Sequence, residues 1–91
     1  FPHFEVLRKF HSGSSDLEIE LLISVLTKIN NQINDPHYAV GISYFLREDL
    51  SAEIGDIWKM EIEPYLEEYF FDQSDKASQF AWEQVKSQVM P

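Results

Sequence analysis

Cysteine is absent from the chain, which excludes disulfides and thiolate metal sites and fits a cytoplasmic domain. Glycine is scarce. None of the three stands in a Gly-x-x-x-x-Gly-Lys pattern, so there is no P-loop to cradle a phosphate. Basic residues are few, 7 against 16 acidic ones, giving a formal net charge of -9. That balance excludes the clustered Lys and Arg of a nucleic-acid binder or of a protein that docks on anionic lipid. Neither direct DNA contact nor membrane association is expected. No apolar run approaches the roughly 20 residues that span a bilayer, and internal repeats and low-complexity linkers are missing. The first residues, Phe1-Pro2-His3-Phe4, have neither an initiator Met nor a signal-peptide shape. They read as the start of a piece cut from a longer protein.

What is present suits one small domain. With 91 residues, 44% of them hydrophobic, the chain can bury a single core with little stability to spare. Seven Phe, four Tyr and two Trp supply large buried areas at few positions.

Hydrophobic periodicity predicts helices. Phe4, Leu7 and Phe10 suit a short helix over 4–11, ended by Ser12-Gly13-Ser14-Ser15. A second helix is expected over 17–33, capped by Asp16, with Leu22, Val25, Leu26, Ile29 and Ile33 forming one stripe. Asn34-Asp35-Pro36 stops it, because the residue before Pro is pushed out of the α region. Residues 37–46 are β-branched and aromatic, and read as extended, with room for one short strand. Gly41 within them suggests a special backbone angle or a close approach by another surface. Asp49 or Ser51 starts a third helical stretch over 52–70. Pro64 makes it either one kinked helix or two abutting ones. Ser74 is the expected cap of a last helix over 75–89, with Ala77, Phe80, Ala81, Gln84 and Val85 turned inward. The fold class is therefore all-α: a bundle of four or five helices with one extended segment. Leu22, Leu26, Ile29, Trp58, Ile62, Leu66 and Phe70 are its expected core.

Chemistry is thin. His3, His11 and His37 lack a paired spacing, so no metal site is expected, and capping or solvated roles suit them better. Glu61, Glu63, Glu67 and Glu68 read as a solvated helix face rather than an acid–base or cation site. The stripe Trp58, Tyr65, Tyr69, Phe70 reads as core rather than as a cofactor box. No Ser-His-Asp arrangement emerges, and no residue is assigned a catalytic role.

Two stretches are more specific. One is Val40-Gly41-Ile42-Ser43-Tyr44-Phe45, following a helix end that reads Ile-Asn-Asn-Gln-Ile over 29–33. The other runs from Ile57-Trp58 through Glu61-Ile62 to Pro64-Tyr65-Leu66-Glu67-Glu68-Tyr69-Phe70. In this order and spacing, over about residues 17–75, they resemble the C-terminal lid of AAA+ NTPases of the McrB type. Those proteins are the GTP-hydrolysing motors of modified-cytosine restriction systems. Where the family has His before Ser-Tyr-Phe, Ile42 stands here, which removes any polar contact to nucleotide or a neighbouring subunit.

The resemblance implies a division of labour. Nucleotide, GTP or ATP with Mg²⁺, would be held mainly by an upstream AAA+ α/β domain, and this chain alone would bind no cofactor and turn over nothing. The lid would cover the nucleotide and relay its state around a homo-oligomeric ring, with a nuclease subunit as further partner. Gly41, Ser43, Tyr44 and Arg47 are the expected contacts to nucleotide or the next subunit. Arg47 is included for its forked donor set, which suits phosphate. The rival reading is a free-standing helical module whose acidic face binds a basic protein. A carboxylate metal or acid–base site is the third.

Overall fold

In the computed structural model, residues 4–13 and 17–90 are described. The expected Asp16 cap, the Ser14-Ser15 part of the first break, and His3 lie outside them. The helices are α1 (Phe4–Phe10), α2 (Ile19–Ile33), α3 (Leu50–Ile57), α4 (Glu63–Tyr69), α5 (Ser74–Ser78) and α6 (Trp82–Val89). A 3₁₀ turn occupies Ser43–Phe45 and a π turn Trp58–Ile62. The class is all-α, with no strand among the described residues.

α2 is the spine. Its buried stripe contains Leu22, Val25, Leu26, Ile29 and Ile33, broken by one polar residue, Asn30. The helix begins at Ile19, two residues later than its pattern suggests, and Glu18 precedes it without a side-chain cap. It ends where expected, by a different device. Asn34 adopts the left-handed conformation (φ 53, ψ 36), and its N–H bonds to the Asn30 carbonyl. This is the C-terminal stop that Asn tolerates better than other residues with a side chain. α1 buries Leu7 and is tied to α2 by Arg8, which pairs with Glu5 on its own helix and with Glu20 at 2.7 Å. The guanidinium holds the Glu20 carboxyl below its usual range. The groups are exposed, so the link adds little to stability.

Pro64 shapes the third stretch. α3, the π turn and α4 follow one another without a gap as one helical rod, the single-helix alternative, with the π turn just ahead of Pro64. A proline ring collides with the carbonyl four residues back in a regular helix. Widening the turn removes the problem: the Glu63 N–H bonds to the Trp58 carbonyl, five residues back.

The last helix is broken, where its composition suggests continuity. α5 and α6 are separated by residues 79–81, with Ala81 extended (φ -62, ψ 151). Contacts with the rod flank the break. The Trp58 indole N–H donates to the Phe80 carbonyl (2.7 Å), and the Trp82 N–H donates to the Glu63 carboxylate (2.7 Å). The break resets the helical phase. α6 buries Trp82, Val85 and Val89, whereas Gln84 is exposed, contrary to its expected inward position. Ser74 is the first helical residue rather than the cap, and Gln73 precedes it without a side-chain capping bond.

One core results. α2 packs on α1 and α6, α4 on α5, and the 3₁₀ turn on α3. Trp58, fully buried, lies at its centre, with ring centroids 6.1 Å from Phe45 and 6.0 Å from Trp82. The Trp82 indole comes so close to α3 that a β-carbon on Gly55 would sit 3.2 Å from its Nε1, which explains a glycine inside a helix. Leu22, Leu26, Ile29, Ile62, Leu66 and Phe70 are all buried in the same cluster. No helix among the described residues is long and apolar enough to cross a membrane.

Leu66 is 1% exposed on the inner face of α4. Its replacement by Ala should lower the unfolding free energy by about 2–5 kcal/mol, out of a total of ~5–15 for an ordinary domain. Urea denaturation followed by circular dichroism checks this. A midpoint equal to the parent's would contradict the packing of α4 described here.

Candidate functional site

The segment between α2 and α3 carries the residues singled out for function, and it is held by hydrogen bonds to its backbone together with the buried Val40 and Phe45 side chains. It leaves α2 through Pro36. The Asp35 carboxylate accepts the His37 N–H (2.9 Å), and the Asp35 carbonyl accepts the Tyr38 N–H (3.0 Å). Two tyrosines on α4 reach up to it. Tyr65 donates to the Tyr38 carbonyl (2.6 Å), and Tyr69 donates to the Ile33 carbonyl at the end of α2 (3.2 Å). Burial pushes the Tyr65 hydroxyl above its ordinary pKa.

Asn30 makes the central contact. Its side-chain oxygen accepts the Val40 N–H (2.7 Å), and its amide nitrogen donates to the Val40 carbonyl (3.2 Å). Both partners are buried. The side chain thus satisfies the two backbone groups that a neighbouring strand would otherwise pair.

Five residues on, the Phe45 N–H bonds to the Ile42 carbonyl (2.9 Å) and closes the 3₁₀ turn. The Phe45 ring is fully buried, and its carbonyl lies 2.8 Å from Nε2 of His11. A carbonyl can only accept, so His11 carries a hydrogen on Nε2. His11 is itself buried, at the end of α1. The expectation of an extended segment over 37–46 is corrected on this basis. Asn30 and His11 supply the pairing a strand would need, and the chain tightens into a turn rather than running straight.

Gly41, Ser43, Tyr44 and Arg47 are brought together on one short stretch. Ser43 and Arg47 are exposed, and Gly41 and Tyr44 are half-buried. Gly41 has no left-handed backbone angle, and a β-carbon placed on it would meet nothing within 4 Å. The expected special angle is therefore absent, and none of the described residues crowds the glycine. Beside it lies a cleft of about 100 Å³ between Gly41, Tyr44, Glu61 and Tyr65. Small-molecule sites are usually ~300–1,000 Å³, so this cleft is a shallow surface. Arg47 is engaged already: it bonds to Glu53 (3.1 Å) and to the Tyr44 carbonyl (3.4 Å). Asp56 and Glu61 line the adjoining cleft with it. An anion arriving here would have to displace Glu53 against that acidic surround. Ile42 packs against the core.

The acidic cluster divides. Glu61, Glu67 and Glu68 are exposed, whereas Glu63 is turned to structural use at the start of α6. Among the described residues no group of three or more His, Asp or Glu side chains is placed to hold a metal ion. His37 is exposed and far from such use.

The residues that matter most to the segment's shape, Asn30 and His11, were not assigned that work from sequence. A signal existed for both. Asn30 lies four residues after Leu26, on the apolar stripe of α2, and His11 four after Leu7. A polar side chain on a buried helix face has to find a partner.

A family model described as the McrB alpha-helical lid domain matches residues 21–78, more than half of the chain. The chain belongs to this family. No curated protein and no solved structure matches it. The matched span runs from the first turn of α2 to the end of α5. It contains Asn30, the segment through Arg47 and the rod with Pro64, and it confirms the resemblance read from those motifs. α1 with His11 and α6 with Trp82 flank it. Membership in the McrB lid family implies association with the AAA+ domain of an McrB-type protein.

The Asn30 clamp is testable. Asn30→Ala would leave the Val40 N–H and carbonyl buried without partners, at about 1–3 kcal/mol for each lost satisfaction. Native-state hydrogen exchange should show the Val40 amide losing protection before α2 does. A Val40 amide that exchanges as slowly in the variant as in the parent would refute the clamp.

Proposed function

We propose that this domain is the lid of an AAA+ nucleotide-hydrolysing motor resembling the GTPase subunit of a modified-cytosine restriction system. It covers bound nucleotide and relays its state between the subunits of a ring. The observation that carries this reading is the family match across the whole of the 29–70 motif region. The nucleotide, GTP or ATP with Mg²⁺, is held chiefly by the AAA+ domain, and a nuclease subunit is the further partner.

The shape of the Gly41–Arg47 segment supports this role. A 100 Å³ surface cleft is one wall of a site rather than a site. Such a wall acts when a second domain closes on it, which is how lids exclude water and complete a catalytic arrangement. The segment is rigidly mounted from α1, α2 and α4, so a displacement of the domain moves it as a body. Gly41 presents backbone with open space above it, where an opposing surface can approach closely. Arg47 would exchange its pairing with Glu53 for a phosphate or a carboxylate of the next subunit.

Two measurements test this. The purified 91-residue chain should hydrolyse neither GTP nor ATP above buffer, because a P-loop lysine and a Mg²⁺-binding carboxylate supply the usual electrostatic machinery. In the protein carrying the AAA+ domain, Gly41→Val, Ser43→Ala and Arg47→Ala should leave the lid's melting temperature nearly unchanged. They should nonetheless lower hydrolysis or ring assembly by roughly tenfold or more, a loss of ~1.4 kcal/mol or greater. Parental hydrolysis and assembly in all three variants would overturn the assignment of this surface.

A further inference from the structure

On the other side of Tyr65 from the Gly41 cleft, the end of α4 carries a second surface that the lid role leaves unused. Phe71, just beyond the helix, is 81% exposed, although its neighbour Phe70 is buried. Phe71 is the most exposed large hydrophobic side chain among the described residues, and it shares a cleft with the exposed Tyr38, so the two form a patch rather than one isolated ring. Phe71 forms the ridge between two clefts. One, about 420 Å³, lies between α4 and α5 and is floored by Phe70, Ala77 and Ala81. The other, about 470 Å³, is lined by Tyr38, Tyr65 and Tyr69. Each falls in the ordinary size range of a binding pocket, ~300–1,000 Å³.

The rim has one sign of charge. Every charged side chain lining the two clefts is a carboxylate: Glu63 and Glu67 in the first, Glu68 in the second. Glu63 accepts the Trp82 N–H, while Glu67 and Glu68 are exposed and form no ion pair among the described residues. Lys76 lies 5.9 Å from the Phe70 ring centroid but lines neither cleft.

We infer that this double cleft docks a basic amphipathic segment of a partner protein. Apolar anchors would sit on either side of Phe71, and Lys or Arg would lie opposite Glu67 and Glu68. Apolar clefts give such contacts their affinity, and the charged rim selects the sign of the partner. The inference is independent of the nucleotide-facing role of Gly41–Arg47.

Fluorescence anisotropy with two labelled helical peptides tests it. One is built of Leu and Lys, the other has Glu at every Lys position. The basic peptide should bind the chain and the acidic one should not. Phe71→Ala, which removes an exposed ring and should leave melting unchanged, should weaken binding at least tenfold. The pair Glu67→Lys and Glu68→Lys should weaken it further. The control pair Glu53→Lys and Asp56→Lys makes the same change in net charge elsewhere and should weaken binding far less. Equal loss in both charge pairs, or indifference to Phe71→Ala, would reduce the binding to bulk charge and overturn the proposal. So would sedimentation showing that the chain dimerises through Phe71, since a second acidic copy would then be the occupant.

Discussion

Asn30 sets the geometry of this domain. One side-chain amide, inside the apolar stripe of α2, takes both the N–H and the carbonyl of Val40. A residue of that kind is costly on a buried face unless fully paired, and here it is paired on both atoms. Exchanging it for Leu would complete the stripe of α2, yet would orphan two buried backbone groups of the neighbouring segment. The chain between α2 and α3 is therefore built around this amide. Its turn at Pro36 brings Val40 to the helix, and its 3₁₀ turn at Ser43–Phe45 follows from where Val40 is held.

The remaining contacts complete a mount from several directions. His11 fixes the Phe45 carbonyl from α1, Tyr65 fixes Tyr38 from α4, and Tyr69 ties α4 to the end of α2. Loops carry function best when a rigid scaffold sets their position. Pro64 contributes indirectly: by requiring a π turn it alters the phase of the rod ahead of Tyr65 and Tyr69. The α5–α6 break works in the same way on the other side of Trp58, where the Phe80 carbonyl and the Glu63 carboxylate fix the chain between them.

How far these features were legible depended on whether they were local. The stripe of α2, its stop at Asn34-Asp35-Pro36 and the burial of Trp58, Ile62, Leu66 and Phe70 follow from spacing alone. The motifs around Tyr44 and Pro64 were distinctive enough to point to the family that matches residues 21–78. What spacing could not reveal were bonds between distant positions. The apparent strand over 37–46 is β-prone in composition, but its pairing partner is a side chain on α2. The apparent single helix over 75–89 has no Gly or Pro to break it, and contacts from the rod do so instead. Glu63 looked like one more solvated carboxylate because its partner, the Trp82 amide, is 19 residues away.

These long-range bonds share a feature with consequences for function. Asn30, His11, Tyr65 and Tyr69 all bind main-chain atoms of the region they hold, and none depends on the identity of the side chain there. The backbone path from Ile33 to Phe45 is thus fixed by these bonds and by the buried Val40 and Phe45, while the side chains of Ser43 and Arg47 are exposed. Ile42, between Val40 and Phe45, packs against the core, and its carbonyl accepts the Phe45 N–H that closes the turn. A surface whose backbone is held in this way can change its exposed side chains without loss of shape.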